Sequence, residues 1–135
     1  MDRLQSTYAP ALGRLLLSLI FIWAGWTHLM APSGTIGYIA SKGLPLPTIA
    51  FVLDVIVELG GGLILLIGLA TRWVALVLAV FCLITAFVFH GFGDMANEIN
   101  AMKNIAMTGG FLFVFAHGAG AWSLDALRLR RTAVA

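Results

Sequence analysis

Four unbroken apolar runs, each near 20 residues long and separated by short polar turns, restrict this chain more than any other feature. They cover about residues 10–30, 47–69, 73–92 and 102–119 and are built mainly from Leu, Ile, Val, Phe, Ala and Gly. A helix of about 20 apolar residues crosses the hydrocarbon layer of a bilayer, whereas membrane β-strands alternate polar and apolar residues, which these runs do not. Lipid offers no partner to an open backbone N–H or C=O, so each run must close its own hydrogen bonds as a helix. The predicted fold is an all-α integral membrane protein: one domain over residues 1–135, forming an antiparallel bundle of four transmembrane helices. The first run is too long for a signal-peptide core and lacks a small-x-small exit at Leu29-Met30-Ala31, so it reads as a span rather than a cleaved leader.

Composition closes off several function classes. Of 135 residues, 61% are hydrophobic and 10% charged, against about 45–50% and about 25% in a soluble domain. Four spans use roughly 80 residues, leaving no room for a separate soluble domain. Any chemistry must sit in the membrane, at its faces or on a partner. The net charge of +2 is scattered along the chain, which argues against a nucleic-acid partner. The single cysteine, Cys82, lies inside the third run with no C-x-x-C pair, so it reads as a packing residue.

The connections fix topology. Gly68-Leu69-Ala70-Thr71-Arg72 is so short that the second and third spans must be antiparallel neighbours. Residues 35–42, between Pro32-Ser33-Gly34 and Gly43-Leu44-Pro45, are moderately apolar; they predict a short interfacial helix or a cap on the bundle mouth. An acidic loop with Asp94 and Glu98 is expected to run to Asn100. Arg3, Arg72, Arg128, Arg130 and Arg131 fall on one side, and Lys42 and Lys103 on the other, which predicts both termini in the cytoplasm. Trp73 and Trp122 would then sit at the inner interface and Trp26 at the outer one.

Ionisable residues inside a bilayer are costly unless paired or wetted, and each needs an account. Arg14, Ser18, Phe21, Gly25 and His28 step by four, three, four and three, so they share one helical face. Asp54, Glu58, Gly61, Leu65 and Gly68 do so on the second span; His90, Ala86, Leu83, Ala79 and Ala75 on the third; Lys103, Met107, Gly110, Val114 and His117 on the fourth. These stripes must turn inward. Counting depth at about 1.5 Å per residue brings His28, Asp54, Glu58, His90, Lys103 and Asn104 into the outer half of the bundle, with Arg14 reaching up toward Glu58 from below.

Taken in order, Gly13-Arg14-Leu15-Leu16, Gly25-x-x-His28-Leu29, Gly43-Leu44-Pro45-Leu46-Pro47, Glu58-Leu59-Gly60-Gly61-Gly62 with Gly68-Leu69-Ala70-Thr71-Arg72, Phe89-His90-Gly91-Phe92, Lys103-Asn104-Ile105 with Gly109-Gly110, and Gly118-Ala119-Gly120-Ala121-Trp122-Ser123-Leu124-Asp125 resemble the DoxX family of small four-helix membrane proteins. The resemblance spans nearly the whole chain. It implies a bacterial inner-membrane location and a link to redox metabolism, either as a subunit of a quinone-reducing oxidoreductase or beside a soluble redox enzyme. It also marks a departure: His28 stands where relatives commonly carry Lys.

The expected site is a polar pocket for a small apolar or quinone-like ligand. Glu58 and Asp54 would accept protons and His90 would relay them, as the reacting groups. Arg14, His28, Lys103 and Asn104 would hold the ligand, and Phe21, Phe51, Phe87, Phe89 and Phe111 would wall it. Quinone is the cofactor this pattern favours. A haem between His28 and His90, or a metal ion held by them with Asp54 or Glu58, is the weaker alternative, since Lys103 would repel a cation, and no metal ligand is assigned. Three other readings stay open: a buried polar network that only fixes helix register, an anchor for a redox partner docking on the arginine-rich tail, and an oligomeric ion or proton path. Whether the chain is itself an enzyme stays open with them.

Overall fold

A computed structural model describes residues 8–91 and 93–133. The described residues hold seven α-helices and no strand: α1 (Ala9–Met30), α2 (Pro32–Ser41), α3 (Pro47–Val55), α4 (Gly61–Ile67), α5 (Thr71–Thr85), α6 (Met95–His117) and α7 (Leu124–Thr132). A π-helical turn, Ile56–Gly60, joins α3 to α4, and a second, Ala86–His90, extends α5. The membrane-length helices are therefore four, Ala9–Met30, Pro47–Ile67, Thr71–His90 and Met95–His117, each 20 to 23 residues long. Arg3 and Phe92, which entered the expectations on topology and on the end of the third span, lie outside the described residues.

The fourth span starts earlier than the apolar run. Asp94 adopts an extended backbone and its carboxylate accepts from the Asn97 backbone N–H at 3.1 Å. Those bonds from Asn97, backbone first and side chain second, hold the Asp94 carboxyl below its ordinary value. Glu98 sits in the first turn, where a negative charge favours a helix N-terminus. The segment expected as an acidic loop is thus the opening of a capped helix, because capping chemistry outweighs the local lack of apolar residues.

Each span buries one stripe and gives the rest to lipid. The core is Phe21, Leu65, Ala75, Leu78, Ala79, Cys82 and Phe111. Large apolar side chains face outward, among them Trp23 at 75% and Phe113 at 68% exposure, as a chain solvated by acyl chains requires. α1 lies very close to the second span: a Cβ on Gly25 would stand 2.6 Å from the Leu59 backbone nitrogen. Glycine is needed there because nothing else lets the two backbones meet.

Polar side chains close the helix ends at the end of the bundle where α1 begins and α7 packs. Ala70 has φ +46° and no side-chain cap of its own. Asp125 supplies one from a distance, accepting from the N–H groups of Ala70 (2.8 Å) and Thr71 (2.9 Å), while its own N–H donates to Gly68 O at 2.9 Å. Arg72 donates to the carbonyls of Phe115 and Ala116, both at 2.8 Å, near the end of α6. α7 is thereby tied to the turn between the second and third spans.

Two outcomes follow from this packing. Gly25→Ala should cost about 1–3 kcal/mol as an overpacked contact and lower the unfolding midpoint in detergent. Gly13→Ala, whose new Cβ meets nothing within 4 Å, should leave that midpoint unlowered or raise it slightly, since alanine favours the helix by up to about 1 kcal/mol. Asp125 gives a pH signature. Burial acts to raise its carboxyl, but the bonds donated by Thr71 and Ala70 outweigh burial and hold it below its ordinary 3.8. A carboxyl lowered on folding stabilises fully above that ordinary value, and its contribution fades as pH falls through the lower folded one. Acid titration of the unfolding midpoint should therefore show a loss in the wild type that Asp125→Asn removes.

Candidate functional site

The last turn of α1, the end of α3 and the first π turn bring three ionisable side chains together. His28 Nδ1 lies 2.7 Å from Asp54 Oδ2 and 2.9 Å from Glu58 Oε2. One Nδ1–H proton cannot point at both acceptors. The geometry gives it to Asp54. Glu58, only 8% exposed, is left with Oε2 buried and without a hydrogen-bond partner. Asp54 and Glu58 are four residues apart, so a helix presents both on one face.

The π turns at Ile56–Gly60 and Ala86–His90 each hold an ionisable residue: Glu58 is the middle of the first, and His90 the last residue of the second. A π turn holds one residue more than an α turn, re-aims the side chains it carries, and occurs frequently at functional sites. Gly91 N–H closes the second one onto Ala86 O at 3.1 Å.

Between these elements lies a cavity of about 250 Å³. Its polar groups are His28, Asp54, Glu58, Thr85, His90 and Asn104; Phe21, Phe81, Phe89 and Met107 form apolar wall. α2, a short helix as expected for this stretch, borders the cavity with Thr35, Tyr38 and Ile39. The Tyr38 ring stacks on Phe89 at 5.8 Å, and its hydroxyl donates to Phe89 O at 3.3 Å. Opposite, Asn104 donates to the Thr85 hydroxyl at 3.1 Å, which donates in turn to Phe81 O at 3.0 Å.

Five of the seven candidate residues thus line one cavity: Glu58, His90, Asp54, His28 and Asn104. Arg14 and Lys103 do not. Arg14, expected to reach toward Glu58, is 3% exposed at the other end of the bundle and donates to Leu65 O (3.0 Å), Leu66 O (3.1 Å) and Trp122 O. The carbonyls ending α4 carry partial negative charge, and although the Gly68 N–H also reaches Leu65 O at 3.1 Å, each carbonyl has a lone pair free to capture the nearest guanidinium. Lys103 is exposed, with Nζ 3.4 Å from Asn100 Oδ1. The buried face of α6 is Ala101, Thr108 and Phe111, a stripe that leaves Lys103 turned outward, where its ammonium need not be desolvated.

Several wall residues also differ from expectation. Phe87 is 63% exposed, and Phe111 is fully buried against Phe21 at 5.3 Å instead of facing the cavity. Phe81 takes a place in the wall that the sequence reading did not assign. On α5 the buried stripe runs through Cys82 rather than Leu83, so the lone thiol both packs the core and borders the cavity. The regular four-three-four series Ala75, Ala79, Cys82, Ala86 was the available signal.

The DoxX family model matches residues 9–91, well over half of the chain and the stretch that supplies His28, Asp54, Glu58 and His90. The chain belongs to the DoxX family. It is 41% identical over 117 residues to the inner membrane protein YqjF of Escherichia coli, covering 84% of this chain and 87% of that protein. To the inner membrane protein YphA of the same organism it is 35% identical over 120 residues, covering 84% and 86%. No solved structure matches the chain. With its four apolar helices, this DoxX protein is a multi-pass protein of the bacterial inner membrane.

Arg14 is a structural clamp, which makes it separable from the cavity. Arg14→Lys retains the charge but cannot fork across three carbonyls. It should lower the unfolding midpoint in detergent while leaving ligand binding in the cavity intact; an unchanged midpoint would contradict the clamp.

Proposed function

We propose that this DoxX protein binds a small ring-bearing ligand of the quinone or quinol type in the cavity beneath α2, as one component of an inner-membrane redox system. The buried, unpartnered Oε2 of Glu58 carries the reading. An acceptor left unsatisfied away from water costs about 1–3 kcal/mol, and a ligand hydroxyl donating to it removes that cost. Size and lining support the same ligand class. About 250 Å³ lies just below the roughly 300–1,000 Å³ of drug-sized sites, which suits the ring of a head group and is small for a whole macrocycle. The aromatic walls provide stacking surface.

In this reading a quinol passes its two electrons to the partner oxidoreductase of the redox system, Glu58 and Asp54 take the two protons released at their carboxylate oxygens, and His28 and His90 pass them on. Asn104 supplies a fixed polar contact. Residues 1–135 act as one membrane domain with both termini in the cytoplasm: Arg72, Arg128, Arg130 and Arg131 lie at the end where α1 begins and α7 packs, and Trp73 and Trp122 are exposed there at 70% and 60%. The bilayer is then the principal partner. α7, held by Asp125, presents three exposed arginines to anionic head groups or to a redox enzyme. That feature favours the second reading, a membrane anchor without a site of its own.

Titration of a short-tailed quinol into the detergent-solubilised protein, followed by tryptophan fluorescence, separates the two. Saturable binding is expected. Glu58→Gln removes a hydrogen bond to a charged group, worth about 1.5–3 kcal/mol, so affinity should fall about tenfold or more with helicity retained. His90→Ala should weaken binding as well. No saturable binding in the wild type, or unchanged affinity in both variants, leaves the anchor reading.

A further inference from the structure

We propose that His28, Asp54 and Glu58 form a binding site for one divalent first-row transition-metal ion, of the zinc or manganese class, open to the cavity. The proposal does not rest on the ligand reading, but it assigns the same Glu58 Oε2 to a metal ion in place of a ligand hydroxyl. The two helical segments offer one imidazole nitrogen and two carboxylate oxygens, all within 4.8 Å of one another. This is a different set from a pair of histidines on separate spans: His90 contributes none of the three atoms.

Charge is the first argument. An imidazolium, protonated at both ring nitrogens, facing two ionised carboxylates would leave the site with a net charge of −1. A divalent ion in place of the Nδ1 proton, held by a neutral imidazole and two carboxylates, brings the sum to zero. Buried charge is tolerated only when balanced in this way. Satisfaction is the second. Glu58 is more than nine-tenths buried and its Oε2 accepts no hydrogen bond although it lies 2.9 Å from Nδ1. A metal ion at that point would engage Nδ1, Oδ2 and Oε2 together, which one proton cannot do.

Geometry is the third. Zinc sits about 2.0–2.2 Å from nitrogen and oxygen ligands. The present spacings of 2.7 and 2.9 Å need to open by only about half an ångström to become the edges of such a coordination shell, a shift that side-chain torsions supply. The mixed N/O set suits zinc, manganese or iron better than copper(I), which prefers sulfur, or magnesium, which prefers oxygen. Three protein ligands leave at least one position facing the cavity, the open arrangement in which a metal can take a further ligand.

The test uses the full chain in detergent, treated with EDTA, dialysed and titrated with Co²⁺. Visible d–d absorption should saturate at one ion per chain, and Zn²⁺ should displace it. Outer-shell partners alone are worth about 10–100-fold in metal affinity, so removing a ligand by Glu58→Gln or His28→Gln should weaken Co²⁺ binding by more than about tenfold. Asp54→Asn serves if His28→Gln does not fold. His117→Ala, exposed at the other end of the bundle, should leave the titration unchanged. The site is overturned by a wild type with no saturable d–d absorption, by absorption that survives the ligand substitutions, or by absorption lost with His117. A chain that binds quinol but no cobalt removes the metal site and leaves the ligand reading standing.

Discussion

Acyl chains neither donate nor accept hydrogen bonds, so every polar group that this chain carries into the bilayer must find its partner within the protein. The two ends of the bundle meet that demand unequally. Where α1 begins and α7 packs, Arg14 closes the carbonyls of Leu65, Leu66 and Trp122, Arg72 those of Phe115 and Ala116, and Asp125 the N–H groups of Ala70 and Thr71. At the opposite end three ionisable groups share a single well-directed hydrogen bond and one buried carboxylate oxygen has none. These bonds tie the first end together, although Arg14 Nε and Thr71 Oγ1 stay buried there without a partner. The second retains a capacity for a hydrogen bond or a coordination bond, and the cavity stands beside it.

The π turns connect fold to site. Had the second and third spans been regular α-helices throughout, Glu58 and His90 would follow the phase of the residues before them. One extra residue per turn shifts that phase and loosens the packing at the depth where the cavity lies. Gly25 compensates on the facing helix by letting α1 come close to Leu59 and Glu58. Sequence, backbone irregularity and open volume therefore coincide at one level of the bundle, under the cover of Tyr38 and Ile39.

Much of this was legible in the residues. The four spans follow from length and apolarity, and the stripe Arg14, Ser18, Phe21, Gly25 on α1 is the buried face observed. The convergence of His28, Asp54, Glu58, His90 and Asn104 on one cavity follows from matching helical phase with depth. The failures have physical causes. Arg14 was assigned by charge, toward an acid, whereas helix-end carbonyls at its own depth were the nearer acceptors. Lys103 was placed on the inward stripe although Asn104, the next residue, starts the face that contacts α5 through Thr85 and Ala79. Met95 as the start of α6 was hidden because capping by Asp94 leaves little trace in hydropathy. The π turns, Phe81 in the wall and the Tyr38–Phe89 stack depend on tertiary packing that periodicity does not encode.

Of the three buried side-chain atoms left without a partner among the described residues, only Glu58 Oε2 borders the cavity. An experimental density map of the chain in lipid nanodiscs, read between α1, α2 and the two π turns, addresses that claim most directly. The account predicts a non-protein feature within bonding distance of the Glu58 carboxylate, in a cavity still bounded by His28, Asp54 and His90. Side chains filling that space, or Glu58 turned away to a backbone donor of its own, would contradict it.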